Sequence, residues 1–194
     1  MKNTIKKILI AGEGGQGAQT IAKILQRAAF LSDQKSLYVP NFGVEQRGGV
    51  TMAYLQISNV EIFYPKFAKA DIAILLSPRS VDRAKEHVDK QTTIVINSSL
   101  IKEFDIKVKS IEKFDMTNIA LKDFSSRVFS AVVLGMIKKH FKYSENILTQ
   151  AVEKELGSKF EKDDSLRREN FRALHASTPS PQPLSLLAEQ IQIL

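Results

Sequence analysis

The first patterned stretch of the chain is an apolar run, Ile5 to Ala11 (IKKILIA), followed by the turn GEGGQG. Ile21, Ile24, Leu25 and Ala28 then recur at the three- and four-residue intervals of one helix face. This order predicts strand, glycine turn, helix. Ser36 to Val39 reads as a short second strand ended by Pro40, because proline lacks the amide that a central ladder needs. A loop from Asn41 to Gly49 leads to a third strand, Val50 to Ile57, rich in β-formers. Ser58 and Asn59 then make a turn before a short extended piece, Val60 to Phe63, which implies an antiparallel hairpin.

DIAILL, Asp71 to Leu76, and Thr92 to Ile96 are continuous apolar runs of strand length, as expected of strands buried on both faces. Between them Ser77 and Pro78 open a helix reaching about Val88, and Ile106 to Ile111 is a weaker, alternating strand. From Met116 the period turns helical, over Met116 to Lys122, Ser125 to His140, Glu145 to Leu156 and Asp164 to His175. Val128 to Ile137 is apolar almost all round, interrupted by Ser130 and Gly135, so that helix must be buried inside the domain or at a subunit interface. The elements predict an α/β fold, a three-layer Rossmann-like domain with a mixed, mainly parallel sheet and a helical C-terminal half. One domain is expected over residues 1–176. Residues 177–194 read as an extended, partly mobile proline-rich tail whose apolar end, Leu184 to Leu194, could dock on a neighbour.

Composition narrows the chemistry. The 194 residues, 43% hydrophobic and 25% charged, suit one soluble domain with a sizeable core. No uncharged apolar run reaches the ~18 residues of a membrane span, and MKNTIKKILIAGEGG lacks a signal-peptide pattern, so a cytoplasmic location is expected. The absence of cysteine excludes disulfides, a thiol nucleophile and thiolate-held zinc or iron–sulfur clusters within the chain. His87, His140 and His175 show no metal-ligand spacing, and no metal site is expected. The net charge of +7 comes from lysines scattered along the chain, which reads as solvated surface before it reads as a nucleic-acid interface.

Gly12, Gly14 and Gly17 match the dinucleotide spacing G-x-G-x-x-G between a strand and a helix, where backbone amides and the helix N-terminus favour a phosphate. A dinucleotide fingerprint also wants an acid at the end of the second strand, about 20 residues on, and SLYVPNFG has none. The phosphate-loop alternative needs a lysine where Ala18 stands. Glycines that only permit a tight turn and close helix packing stand as the alternative reading of the stretch. Gln16 either binds a ligand or pins a neighbouring loop. In the second loop, PNFGVEQRGGV, Arg47 offers a planar donor fork suited to carboxylate or phosphate, with Glu45 to orient it; a surface Glu–Arg pair is the plainer reading.

Taken together, GEGGQG, FGVEQRGG and SNVEIFYPKFAKADIAILLS resemble the gamma-type subunit of the 2-oxoacid:ferredoxin (or acceptor) oxidoreductases, in order and spacing, through roughly the first 80 residues. The matching positions are Gly12 to Gly17, Phe42–Gly43, Glu45, Arg47 to Gly49, Ser58, Ile62 with Pro65, and Ala70–Asp71. RVFSAVVLG looks like the family's buried helix and ENFRALHAS like its closing helix, around Asn170 and Ala173. Ser130 stands where that family often has asparagine, and Ser177 where glycine often follows.

The resemblance implies a subunit, inactive alone, of an enzyme that converts a 2-oxoacid and coenzyme A to acyl-CoA and carbon dioxide and reduces ferredoxin. Thiamine diphosphate, magnesium and iron–sulfur clusters would sit on partner chains: thiamine-binding and alpha-type subunits and a ferredoxin-like subunit. Coenzyme A would be a co-substrate, and neither nucleic acid nor membrane a partner. It assigns no catalytic residue here. Gly14, Gly15, Gln16, Gly17, Glu45, Arg47 and Gly48 become candidate coenzyme A or interface loops. Pyruvate, 2-oxoglutarate, ketoisovalerate and indolepyruvate all remain open as substrates. The competing reading is a nucleotide-binding Rossmann-type enzyme.

Overall fold

The computed structural model describes residues 5–43 and 49–176. Six strands form one sheet: β1 (Ile5–Glu13), β2 (Lys35–Asn41), β3 (Val50–Ser58), β4 (Ile72–Leu75), β5 (Thr93–Asn97) and β6 (Ser110–Phe114). Their order is β2-β3-β1-β4-β5-β6. The three pairings β1–β4, β4–β5 and β5–β6 are parallel, whereas β3 runs antiparallel to both β1 and β2. The sheet is mixed and mainly parallel, as expected.

Among the strands, three details differ from the sequence expectation. Residues 60–63 form no strand: β3 already has β1 on one side and β2 on the other, which leaves no free edge for a hairpin partner. Pro40 lies inside β2 rather than ending it, opposite Ala53, and is tolerated because β2 is an edge strand with its far side unpaired in the sheet. The weak strand expected at 106–111 begins later, at Ser110, after the Lys109 amide bonds the Thr92 carbonyl; Ile106 and Val108 instead pack beneath the sheet.

Alternation along the strands builds two cores. Ile8, Ile10, Ala53, Leu55, Ile57, Ile74 and Val95 face one side. That side is covered by α1 (Ala18–Leu31), α3 (Met116–Asp123), α4 (Phe129–Ile137), α5 (Glu145–Phe160) and α6 (Asp164–His175). Leu9, Ala11, Met52, Tyr54, Leu75 and Ile94 face the other side, under α2 (Pro78–Ala84) and the apolar residues Phe67, Val88 and Ile101. The result is three layers, the second helical layer being thin.

Helix α4 settles the choice left by its all-round apolarity. Ala131 to Ile137 are all buried within this one chain. Gly135 permits this, since a Cβ there would stand 3.0 Å from the Ala173 carbonyl and 3.1 Å from that of Leu174, so α4 and α6 cross backbone to backbone. Asn170, 2% exposed, donates its amide to the Leu166 carbonyl of its own helix at 2.8 Å.

Candidate functional site

β1, β4, β5 and β6 are parallel, so the turns that follow them emerge at one carboxyl edge of the sheet, where α/β folds place their ligands. The glycine turn follows β1. Gly15 has φ +93° with nothing near its Cβ position, and Gly17 has φ +72° and caps α1 in the left-handed region, without any side-chain cap. A Cβ on Gly17 would fall 2.1 Å from the Ser130 hydroxyl oxygen, so the glycine also lets the start of α4 close onto the start of α1.

Both the oxygen and the nitrogen of the Gln16 side chain bond to the chain itself. Its Oε1 accepts from the Glu13 amide at 2.8 Å, and its Nε2 donates to the Leu76 carbonyl at 3.2 Å, tying the β1 turn to the end of β4. Gly12 makes room, since a Cβ there would lie 2.9 Å from that Oε1. Gln16 therefore pins the turn to β4; the tie to the second loop comes from the Gly14 amide, which donates to the Gly49 carbonyl at 3.2 Å. Gln19 adds a brace that the motif does not advertise, donating to the Met52 carbonyl at 3.1 Å and accepting from the Tyr38 hydroxyl at 2.5 Å. Arg79, in the first turn of α2, reaches Glu13 at 3.2 Å.

The centre of the edge is a residue that sequence reasoning passed over. Asn97, 0% exposed, closes β5 and donates to the same Leu76 carbonyl at 3.1 Å and to the Thr117 hydroxyl at 2.8 Å. Its Oδ1 accepts from the Thr117 amide at 3.3 Å. The Ser99 hydroxyl accepts from the amides of Thr117 and Asn118 at 3.0 and 3.2 Å and donates to Asp115 at 2.6 Å, so α3 is capped from the β5 loop. The Asp115 carboxylate makes no cap bond to α3's backbone. One carbonyl, that of Leu76, thus joins the turns after β1, β4 and β5 into a fixed floor. The only sequence sign of it was a polar residue ending the apolar strand TIVIN ahead of two serines.

Above this floor a shallow groove of about 180 Å³ runs between Gly15–Gln16 and Thr117, Leu121 and Phe129. Leu121 at its rim is 60% exposed. Of the predicted site residues, Gly14, Gly15, Gln16 and Gly17 come together here, while Glu45, Arg47 and Gly48 lie outside the described residues. The strands flanking those three end and begin at this edge, at Asn41 and Val50, and Val50 pairs with Glu13. Among the described residues no group of three or more His, Cys, Asp or Glu side chains could hold a metal ion, and no helix is long and apolar enough to cross a membrane.

The strand order bears on the dinucleotide reading. Because β3 lies between β1 and β2, the end of β2 stands two strand spacings, about 10 Å, from the glycine turn. A ribose-binding acid at that end would be displaced from its place in a doubly wound fold, and β2 carries none there. Comparison with known proteins points the same way. The sequence profile of the family described as pyruvate ferredoxin/flavodoxin oxidoreductase matches residues 7–178. The chain belongs to that family.

Curated relatives carry gamma-type names. The chain is 30% identical over 135 residues to 2-oxoglutarate synthase subunit KorC of Methanocaldococcus jannaschii, covering 66% of this chain and 71% of that one. It is 31% identical to the pyruvate/ketoisovalerate oxidoreductases common subunit gamma of Pyrococcus furiosus, covering 66% and 74%. It is 35% identical to pyruvate synthase subunit PorC of Methanothermobacter thermautotrophicus, covering 66% and 72%. Among solved structures, the keto/oxoacid ferredoxin oxidoreductase gamma subunit of Geobacter sulfurreducens shares the fold with a TM-score of 0.67 at 20% identity, covering 89% of this chain and 99% of that one. The 2-oxoglutarate:ferredoxin oxidoreductase of Magnetococcus marinus, solved with 2-oxoglutarate, coenzyme A and succinyl-CoA bound, gives a TM-score of 0.76 at 22% identity. That alignment covers 94% of this chain but only 34% of the larger one. These relatives are subunits or parts of multisubunit oxidoreductases, and the nucleotide-binding alternative is not favoured.

Proposed function

We propose that this chain is the gamma subunit of a multisubunit, thiamine-diphosphate-dependent 2-oxoacid:ferredoxin oxidoreductase, and that its carboxyl edge borders the path by which coenzyme A reaches the active site. The observation that carries the reading is the family match over residues 7–178, with gamma-type relatives on both the pyruvate and the 2-oxoglutarate side. The enzyme would take a 2-oxoacid and coenzyme A to acyl-CoA and carbon dioxide, delivering electrons to ferredoxin. Thiamine diphosphate supplies the carbanion stabilisation and iron–sulfur clusters the electron transfer. A chain without cysteine offers no thiolates for a cluster, so both belong on partners: thiamine-binding and alpha-type chains and a ferredoxin-like chain.

What this chain contributes is shape and charge at one edge. The network through Leu76, Gln16 and Asn97 holds the glycine turn rigid, and the Gly14–Gly49 bond fastens the second loop's end beside it. In this reading Gly14 to Gly17 offer close backbone approach, while Glu45, Arg47 and Gly48 supply the contact to a partner carboxylate or a coenzyme A phosphate. The test is Arg47→Ala in the assembled enzyme. Weakened subunit association or a raised KM for coenzyme A is expected; unchanged assembly together with unchanged coenzyme A dependence removes the proposed role.

A further inference from the structure

The opposite edge of the sheet holds a second feature, about 25 Å from the glycine turn by the length of β1. Here a cavity of about 500 Å³ opens between the start of β1, the α1–β2 turn, the end of β3 and the segment after α4. Its wall carries Lys6, Lys142, Ser32, Asn59, His140 and Tyr143, and among the described residues no acidic side chain lines it.

The arrangement around Lys6 is unusual for a lysine. Its ammonium is half-buried, donates to the His140 carbonyl and stands 4.9 Å over the Phe141 ring. Neither a carbonyl nor a ring face carries a full negative charge, and among the described residues Lys6 forms no ion pair with an acid. The acid that acts on Lys6, Asp71, accepts from the Lys7 amide at 2.7 Å, and Glu112, beside His140, is shared between His140 at 2.9 Å and Lys139 at 3.1 Å. Lys142 stands close enough to repel Lys6, and burial with that repulsion holds the Lys6 ammonium below its ordinary range despite the attraction of Asp71. Burying charge without a counter-charge is costly.

The remaining wall is polar and is held in place by its own hydrogen bonds. The Tyr143 phenol, kept protonated by burial, donates to Gln34 Oε1 at 2.9 Å, and Gln34 Nε2 donates to Asn59 Oδ1 at 3.3 Å. The turn that carries Ser32 and Gln34 is locked by Asp33 at φ +55° and by the Gln34 amide on the Ala29 carbonyl at 3.0 Å. Two lysines on a hydroxyl- and amide-rich wall suit phosphate, which lysine binds as a point charge, more than carboxylate, for which the arginine fork is the matched donor.

We propose that this basal cavity binds the phosphate group of a small molecule, at a site separate from the carboxyl edge. The site does not depend on the subunit assignment, so either can fail alone. The test uses the full 194-residue chain, titrated calorimetrically and by thermal shift with inorganic phosphate, with succinate at matched charge and with chloride at matched ionic strength. Saturable phosphate binding and a rise in Tm that chloride does not reproduce are expected. Lys142→Glu, a change at an exposed position that leaves the core untouched, should weaken phosphate binding at least tenfold, and Lys6→Gln should do the same where it folds. Phosphate indistinguishable from chloride, binding unaffected by Lys142→Glu, or succinate bound more tightly than phosphate would each overturn the assignment.

Discussion

Replacing Asn97 by aspartate changes one atom type at the hub of the carboxyl edge, and its consequence depends on pH. Asn97→Ala removes three hydrogen bonds but strands no backbone group: the Leu76 carbonyl keeps Gln16 and the Thr117 amide keeps Ser99. At about 0.5–1.5 kcal/mol net for each bond, a loss of about 2–4 kcal/mol is expected. Asn97→Asp puts a carboxyl where the amide met the Leu76 carbonyl at 3.1 Å, at a position 0% exposed. Protonated, it can still donate to that carbonyl; ionised, it sets charge against a carbonyl dipole in a buried site. Burial raises the folded pKa above the unfolded value of about 3.9. The neutral form is then favoured by folding, and stability relative to wild type falls by about 1.4 kcal/mol per pH unit from about pH 4 upward until the folded pKa is passed. Near pH 4 the aspartate variant should stay within about 1–2 kcal/mol of wild type, one hydrogen bond or so. By pH 7.5 the deficit should reach about 3–5 kcal/mol, the scale of an uncompensated buried charge. Urea unfolding of the full chain at both pH values, with wild type subtracted, reads this directly. A deficit of the aspartate variant that does not change with pH would refute the hub.

Three further outcomes are expected. Gly17→Ala should cost about 2–4 kcal/mol, of which about 1–2 is the left-handed backbone and the rest the contact with Ser130; adding Ser130→Ala should recover the second part alone, as measured by a double-mutant cycle in urea. Gly135→Ala should cost about 1–3 kcal/mol by forcing α4 off the carbonyls of Ala173 and Leu174, and a variant as stable as wild type in the same assay would show that the helices do not cross so closely. The Asp163 carboxyl, held down to about 2 by the Ser165 hydroxyl, then Arg127 and the Leu166 amide, should titrate there by carbon NMR. Because the folded pKa is depressed, its stabilisation is present above the unfolded pKa and lost as pH falls toward 2; an ordinary aspartate midpoint would contradict the hydrogen bonds by which Asp163 caps α6.

Much of the framework was legible in the chain because periodicity reports burial. The first strand, glycine turn and helix, the buried runs that became β4 and β5, and the last helix, Asp164–His175, all follow from apolar spacing. What spacing does not encode is which strands become neighbours. The placement of β3 between β1 and β2 is a tertiary choice, and it cancelled the 60–63 hairpin and admitted Pro40 into an edge strand. At the candidate site, Gly15 and Gly17 were visible as glycines whose backbone demands them, but Gln16 offered two roles and only its partners decided between them. Asn97 was missed because a single polar residue at a strand end carries no periodic signal; its importance comes from long-range contacts to Leu76 and Thr117.

The central claim is that this chain is an obligatory part of a 2-oxoacid oxidoreductase and acts on the coenzyme A side. The direct measurement is reconstitution of the proposed enzyme from thiamine-binding, alpha-type and ferredoxin-like chains with and without this one, following 2-oxoacid-driven ferredoxin reduction against coenzyme A concentration. This chain is expected to copurify in fixed stoichiometry, to show no turnover alone, and on omission to abolish coenzyme A-dependent turnover. An assembly that lacks it and keeps the same kcat and the same KM for coenzyme A would contradict the account.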